Sequence, residues 1–153
     1  MEGMKRTHSC GSLGMKDVGK EVVLTGWVQT RRDLGGVIFI DLRDRSGIVQ
    51  VVFSEDYSHE AFELAGDLRS EYVIAVKGEV RERPQENKNP KISTGDIEVF
   101  VKEIKILSSA KTPPFPIEDS IKVDESLRLK YRYLDLRRPV MLNNFILRHR
   151  VSK

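Results

Sequence analysis

The sequence predicts an all-β barrel with one short helix, and three observations predict it. Alternating apolar and polar residues mark successive strands through residues 22–54, and two further alternating runs end near residue 107. A stretch of helical period, residues 61–68, separates the two groups. Hydrophobic content of 39% against 32% charged residues suits a small barrel with much surface.

The first strand, residues 21–32, places Val22, Leu24 and Val28 on one face. Gly26 lies mid-strand, where a bend or bulge is expected; a bulge there would shift the parity of Arg31 and Arg32. After the Leu34-Gly35-Gly36 turn, the second strand turns Ile38, Ile40 and Leu42 inward. Val37, Phe39, Asp41 and Arg43 then face water. Beyond Arg45-Ser46-Gly47, Val49, Val51 and Phe53 go inward and Gln50 outward. The outward faces thus carry a ring suited to stacking and an amide suited to reading a base edge, with Arg31 and Arg32 in the preceding connection. Such a surface suits single-stranded nucleic acid. Taken singly, an exposed Phe, a strand Gln or an Arg pair is more often ordinary surface; convergence on one face favours binding.

Ala61, Leu64, Ala65 and Leu68 fall at i, i+3, i+4 and i+7, which predicts a short amphipathic helix capped by Asp56 or Ser58. The fourth strand, residues 72–83, turns Ile74, Val76, Gly78 and Val80 inward and Lys77, Glu79, Arg81 and Arg83 outward. A polar loop with Asn87 and Asn89 leads to the fifth, where Ile97, Val99 and Val101 alternate with Asp96, Glu98 and Lys102. Three strands, a helix and two strands is the order of the OB-fold, a five-stranded Greek-key barrel. That fold binds oligonucleotides on strands two and three and on the loops joining strands one to two and four to five. Phe39 and Gln50 lie on that face, and Arg31, Arg32, Asn87 and Asn89 in or beside those loops.

The barrel is expected over residues 1–108, with at most one helical turn near residues 15–18, and a proline-bearing linker over residues 109–126. Residues 127–153 begin a new element rich in Leu, Tyr and Arg, with Pro139 at the first position of a last helix. That helix presents Met141, Leu142, Phe145, Ile146 and Leu147 with little chain left to cover them, so a further domain is expected. Asp41, Asp44 and Asp135 read as solvated strand and turn residues, not an acid–base pair.

A net charge of +3 and a pI near 9.0 permit an anionic partner without demanding one. A single cysteine, Cys10, excludes an internal disulfide framework and suits a reducing compartment. His8, His59 and His149 lie in separate segments without zinc spacing, so no metal is expected. No apolar run reaches membrane-spanning length and no signal-peptide core is present, which predicts a cytoplasmic location.

With RTHSCG near the start, GWVQTRRDLGGVIFIDLRDRSGIVQVVF, TGDIEV, TPPF and LRLKYRYLDLRRP, the chain resembles the N-terminal part of bacterial-type aspartyl-tRNA synthetases, of class II. The resemblance covers essentially the whole chain. It implies that the barrel binds the tRNA(Asp) anticodon stem-loop and that the full-length enzyme, expected to be a homodimer, uses ATP and Mg²⁺ in a later catalytic domain. Residues 127–153 would be the truncated start of that domain; these 153 residues are expected to be inactive in aspartylation and to need no cofactor.

The resemblance also implies roles. Phe39 would stack on the central anticodon uridine, Gln50 would read that part of the anticodon, and Glu98 would take the first guanine. Arg32 would contact the loop, with Arg81, Arg83 and Asn87 near the last bases. Thr30 stands where the family often has a further arginine, and Pro84 and Pro90 stiffen the loop of Asn87 and Asn89. Leu34, where dual-specificity relatives often carry histidine, leans toward enzymes that discriminate against tRNA(Asn). Competing readings are a free-standing OB-fold binder of single strands or proteins, and the equivalent domain of a lysine or asparagine enzyme.

Overall fold

A computed structural model describes residues 4–153 as two compact units, one ending at Thr112 and the other beginning at Pro113. In the first, strands β1 (Glu21–Asp33), β2 (Val37–Asp44), β3 (Gly47–Ser54), β4 (Val73–Glu82) and β5 (Ile97–Ser108) close a barrel in the order β1-β2-β3-β5-β4. Helix α1 (His59–Gly66) lies between β3 and β4 in the chain. All ladders are antiparallel except β3–β5, which is parallel and pairs only Val51 with Val99 and Val52 with Phe100.

The expected inward residues form the core: Val22, Leu24, Ile40, Leu42, Val49, Val51, Phe53, Val76 and Val99 are fully buried. Ser58 is the N-cap of α1, its hydroxyl accepting from the Ala61 amide at 3.4 Å. The helix buries Ala61 and Ala65, with Leu68 just beyond it. Leu64 of the expected stripe is exposed, and Phe62 packs on the core instead.

The bulge is not at Gly26. That residue stays in register with Ile74, and a Cβ there would lie 2.5 Å from the Arg43 carbonyl oxygen, so the close approach of β2 is what requires glycine. The register of β1 on β2 shifts at Gln29, between Val28 and Thr30. Beyond it Arg31 opposes Ile40 and Arg32 opposes Phe39, which sends the two arginines to opposite faces.

Two short 3-10 turns, Cys10–Ser12 and Met15–Asp17, precede β1; the second falls where at most one helical turn was expected, and the first is additional. The first buries Cys10, whose amide donates to the Asp44 carboxylate at 2.8 Å. Burial and that carboxylate push the thiol far up. Arg43, expected to face water, is only 8% exposed. One of its guanidinium nitrogens donates to both Glu71 carboxylate oxygens at 2.9 Å, and another to Gln29 at 3.3 Å. Glu71 holds this position from a left-handed backbone, φ 66°.

The second unit contains α2 (Glu125–Lys130), α3 (Arg132–Asp135) and α4 (Pro139–Ser152). Pro139 occupies the first turn of α4, as expected. Phe115 and Ile117, in the stretch read as linker, are buried. Asp135 is not solvated: its side chain is 0% exposed and pairs with Arg138 at 2.8 Å, Arg132 at 3.1 Å and Arg128 at 3.9 Å. The Asp119 carboxylate accepts from the Val140 amide at 3.2 Å and caps the free donors of α4. Phe145, Ile146 and Leu147 are exposed, whereas Met141 and Leu142 are half-buried.

Candidate nucleic-acid interface

Residues paired across neighbouring strands share a face, so the registers assemble the outer surface directly. One rung runs Arg32, Phe39, Val52, Phe100 and Glu79 across β1, β2, β3, β5 and β4. The next outward rung carries Asp41 opposite Gln50, and Glu98 opposite Arg81. Thr30, opposite Asp41, donates its hydroxyl to that carboxylate.

Side-chain contacts join the rungs. Arg32 places its guanidinium 5.6 Å from the Phe39 ring centroid and donates to the Gln50 amide oxygen at 3.0 Å. The Gln50 nitrogen donates to Glu98 at 2.9 Å. Gln50 is 6% exposed and Glu98 8%, so neither is a solvated filler, although both face outward. Phe39 is half-buried beside them. Burial raises the Glu98 carboxyl above its ordinary value, while the Gln50 bond and the charges of Arg83 and Arg81 pull it down less strongly. An aromatic plane, an amide and a carboxylate with both oxygens able to accept can stack one base and read the edge of another.

The other expected site residues separate. Arg31 leaves this face: it donates to the Ala65 carbonyl near the end of α1 at 3.2 Å and pairs with Asp33 at 2.9 Å. Arg83, expected outward, is buried just beyond β4, donating to the carbonyls of Ile97 at 2.8 Å and Asn87 at 3.4 Å. Burial lowers its basicity, and its second terminal nitrogen has no hydrogen-bond partner among the described residues. Asn87 is exposed at the end of the 3-10 turn Gln85–Asn87. Asn89 turns its side-chain oxygen back to the Lys91 amide at 3.0 Å.

Two aromatic residues on this surface were missed. Phe100 has the same outward parity as Glu98, a signal present in the alternation of β5. Tyr57, in the turn after β3, meets Phe100 edge-on at 5.7 Å. Arg81 lies over both rings, 4.3 Å from Phe100 and 4.8 Å from Tyr57.

The family model of the OB-fold nucleic acid binding domain matches residues 22–107. The chain belongs to that family. The chain is 63% identical, over 99% of its length, to an aspartate–tRNA(Asp/Asn) ligase of Caldanaerobacter subterraneus subsp. tengcongensis. It is 62% identical, over 97% of the chain, to an aspartate–tRNA ligase of Enterococcus faecalis. The chain spans only 26% and 25% of these relatives' lengths. Among solved structures, asparaginyl-tRNA synthetase from Pyrococcus horikoshii superposes with a TM-score of 0.71 at 30% identity, covering 89% of this chain and 30% of that one. Leu34, whose identity leaned toward the discriminating enzymes, is 73% exposed beside the turn into β2; relatives under both names match almost equally well.

Proposed function

We propose that this chain is the anticodon-recognising part of an aspartate–tRNA ligase, and that its barrel binds the anticodon loop of tRNA(Asp). The observation that carries the reading is the continuous line Arg32, Gln50 and Glu98 beside the Phe39 ring, within a family of nucleic-acid-binding barrels. Phe39 stacks on the central uridine, Gln50 reads its edge, and Glu98 accepts from the first guanine. Arg32 moves from the Phe39 ring to the phosphate backbone. Arg83 holds the β5 backbone beneath Glu98 through the Ile97 carbonyl, and Asn87 meets the last bases from the adjoining loop. The relatives' names support aspartate over lysine or asparagine. The whole enzyme would be a cytoplasmic homodimer that uses ATP and Mg²⁺ in a domain beyond this chain.

Fluorescence anisotropy with the tRNA(Asp) anticodon stem-loop tests the reading. The cognate loop should bind more tightly than loops substituted at the first or central anticodon base. Equal affinity for all of them would overturn it.

A further inference from the structure

The rung that carries Phe39 holds a second aromatic residue, Phe100, with Val52 between them. The two ring positions are built alike. Each is a half-buried phenylalanine facing out of the sheet with an arginine against it: Arg32 at 5.6 Å from Phe39, Arg81 at 4.3 Å from Phe100. They flank the Gln50–Glu98 pair, since Arg32 binds Gln50 and Arg81 opposes Glu98 in the ladder. At the second position Tyr57 enlarges the platform. Glu79 steadies it, accepting from Arg81 at 3.1 Å and from the Tyr57 hydroxyl at 3.3 Å.

We propose that Phe100, Tyr57 and Arg81 form a second base-stacking station for single-stranded RNA, taking a nucleobase adjoining the one held at Phe39. The inference rests on the proposed reading of the Phe39 face. Aromatic rings and guanidinium planes both offer stacking surfaces to any base, so the station is indifferent to sequence. Two strand spacings separate the phenylalanine positions, roughly 10 Å. Bases stacked on one another are only about 3.4 Å apart, so the stations take bases pulled out of a mutual stack. Phosphate charge along a strand crossing the face is met by Arg32 at one end and Arg81 at the other.

The test uses the whole chain and anticodon stem-loops carrying the fluorescent base 2-aminopurine at one loop position at a time, at saturating protein. Stacking on an aromatic ring lowers its emission relative to the same base splayed out with no ring beside it. In the wild-type complex two positions should therefore be dim relative to the complexes of variants that lack a ring. Phe100→Leu should restore emission at one and weaken stem-loop binding about 5- to 150-fold, while Phe39→Ala restores the other. Tyr57→Leu, which leaves the sheet untouched, should restore the same position as Phe100→Leu, and it decides the matter if Phe100→Leu melts early. If neither variant releases a quenched position while Phe39→Ala does, the second station is overturned and the Phe39 reading stands. If the Phe100→Leu and Tyr57→Leu variants release both positions alike, the rings act through the barrel's structure and the station is likewise overturned. If no variant, Phe39→Ala included, raises emission at any position, the Phe39 face itself is not a stacking site and both readings fall.

Discussion

Gln50 donates from its side-chain nitrogen to a Glu98 oxygen 2.9 Å away, and both residues are nearly inaccessible although they face outward from the barrel. The carboxylate is therefore held oriented and partly desolvated before any base arrives, and the raised Glu98 carboxyl records the cost.

That cost has a sign. A carboxyl whose folded-state value exceeds its unfolded value of 4.5 contributes stability at low pH, lost as pH rises through the folded value. Glu98→Gln cannot ionise. Its thermal midpoint relative to wild type should therefore rise as pH increases from below 4.5 toward neutrality, while its preference for guanine falls. Parallel melting curves across pH, with a constant gap, would refute the assignment.

Phe39→Ala should leave the barrel folded and weaken binding of the cognate stem-loop by about 1–3 kcal/mol, the worth of one stacked base. A ring in the core would instead cost about 3–5 kcal/mol of stability. Thermal midpoint and affinity, measured on the same variant, separate the two cases.

Arg31 and Arg32 are adjacent in sequence and should behave differently. Arg32→Ala should reduce the slope of log affinity against log salt by roughly 0.7, the single-strand value for one phosphate. Arg31→Ala should leave it unchanged, because that side chain is turned to the Ala65 carbonyl and Asp33. Salt titrations in which both variants lose slope would place Arg31 in the interface after all.

Glu71→Ala should destabilise the barrel by about 3–5 kcal/mol, since it strands the buried Arg43 guanidinium without its carboxylate. Chemical denaturation measures this, and a change below about 1 kcal/mol, the scale of a surface pair, would rule out a buried one.

Much of the barrel was legible because each strand has one face in a closed core, so alternation alone sorted Ile38, Ile40 and Leu42 from Phe39 and Asp41. The same parity marked Gln50 and would have marked Phe100. Glu98 looked like an ordinary outward glutamate, and only the family resemblance singled it out. Which of Arg31 and Arg32 joins the Phe39 face depends on one extra residue at Gln29, which no local pattern announces. Asp135 looked solvated because charged neighbours usually mark surface. Here three arginines converge on one carboxylate and take it out of water. Arg83 lies just past β4, where period-two reasoning no longer applies.

The parallel joint between β3 and β5 is the barrel's shortest ladder, two residue pairs long, and the Gln50–Glu98 bond crosses it like a clasp. Recognition is thereby tied to the mechanical closure of the cylinder. A strand whose central base bonds to Gln50 and whose first guanine donates to Glu98 must loosen the clasp and then replace it, bridging the joint itself. The free barrel should open first along this line, and bound RNA should act as a strap across it. Amide exchange near Val52 and Phe100 should slow on binding more than exchange in the longer β1–β4 ladder.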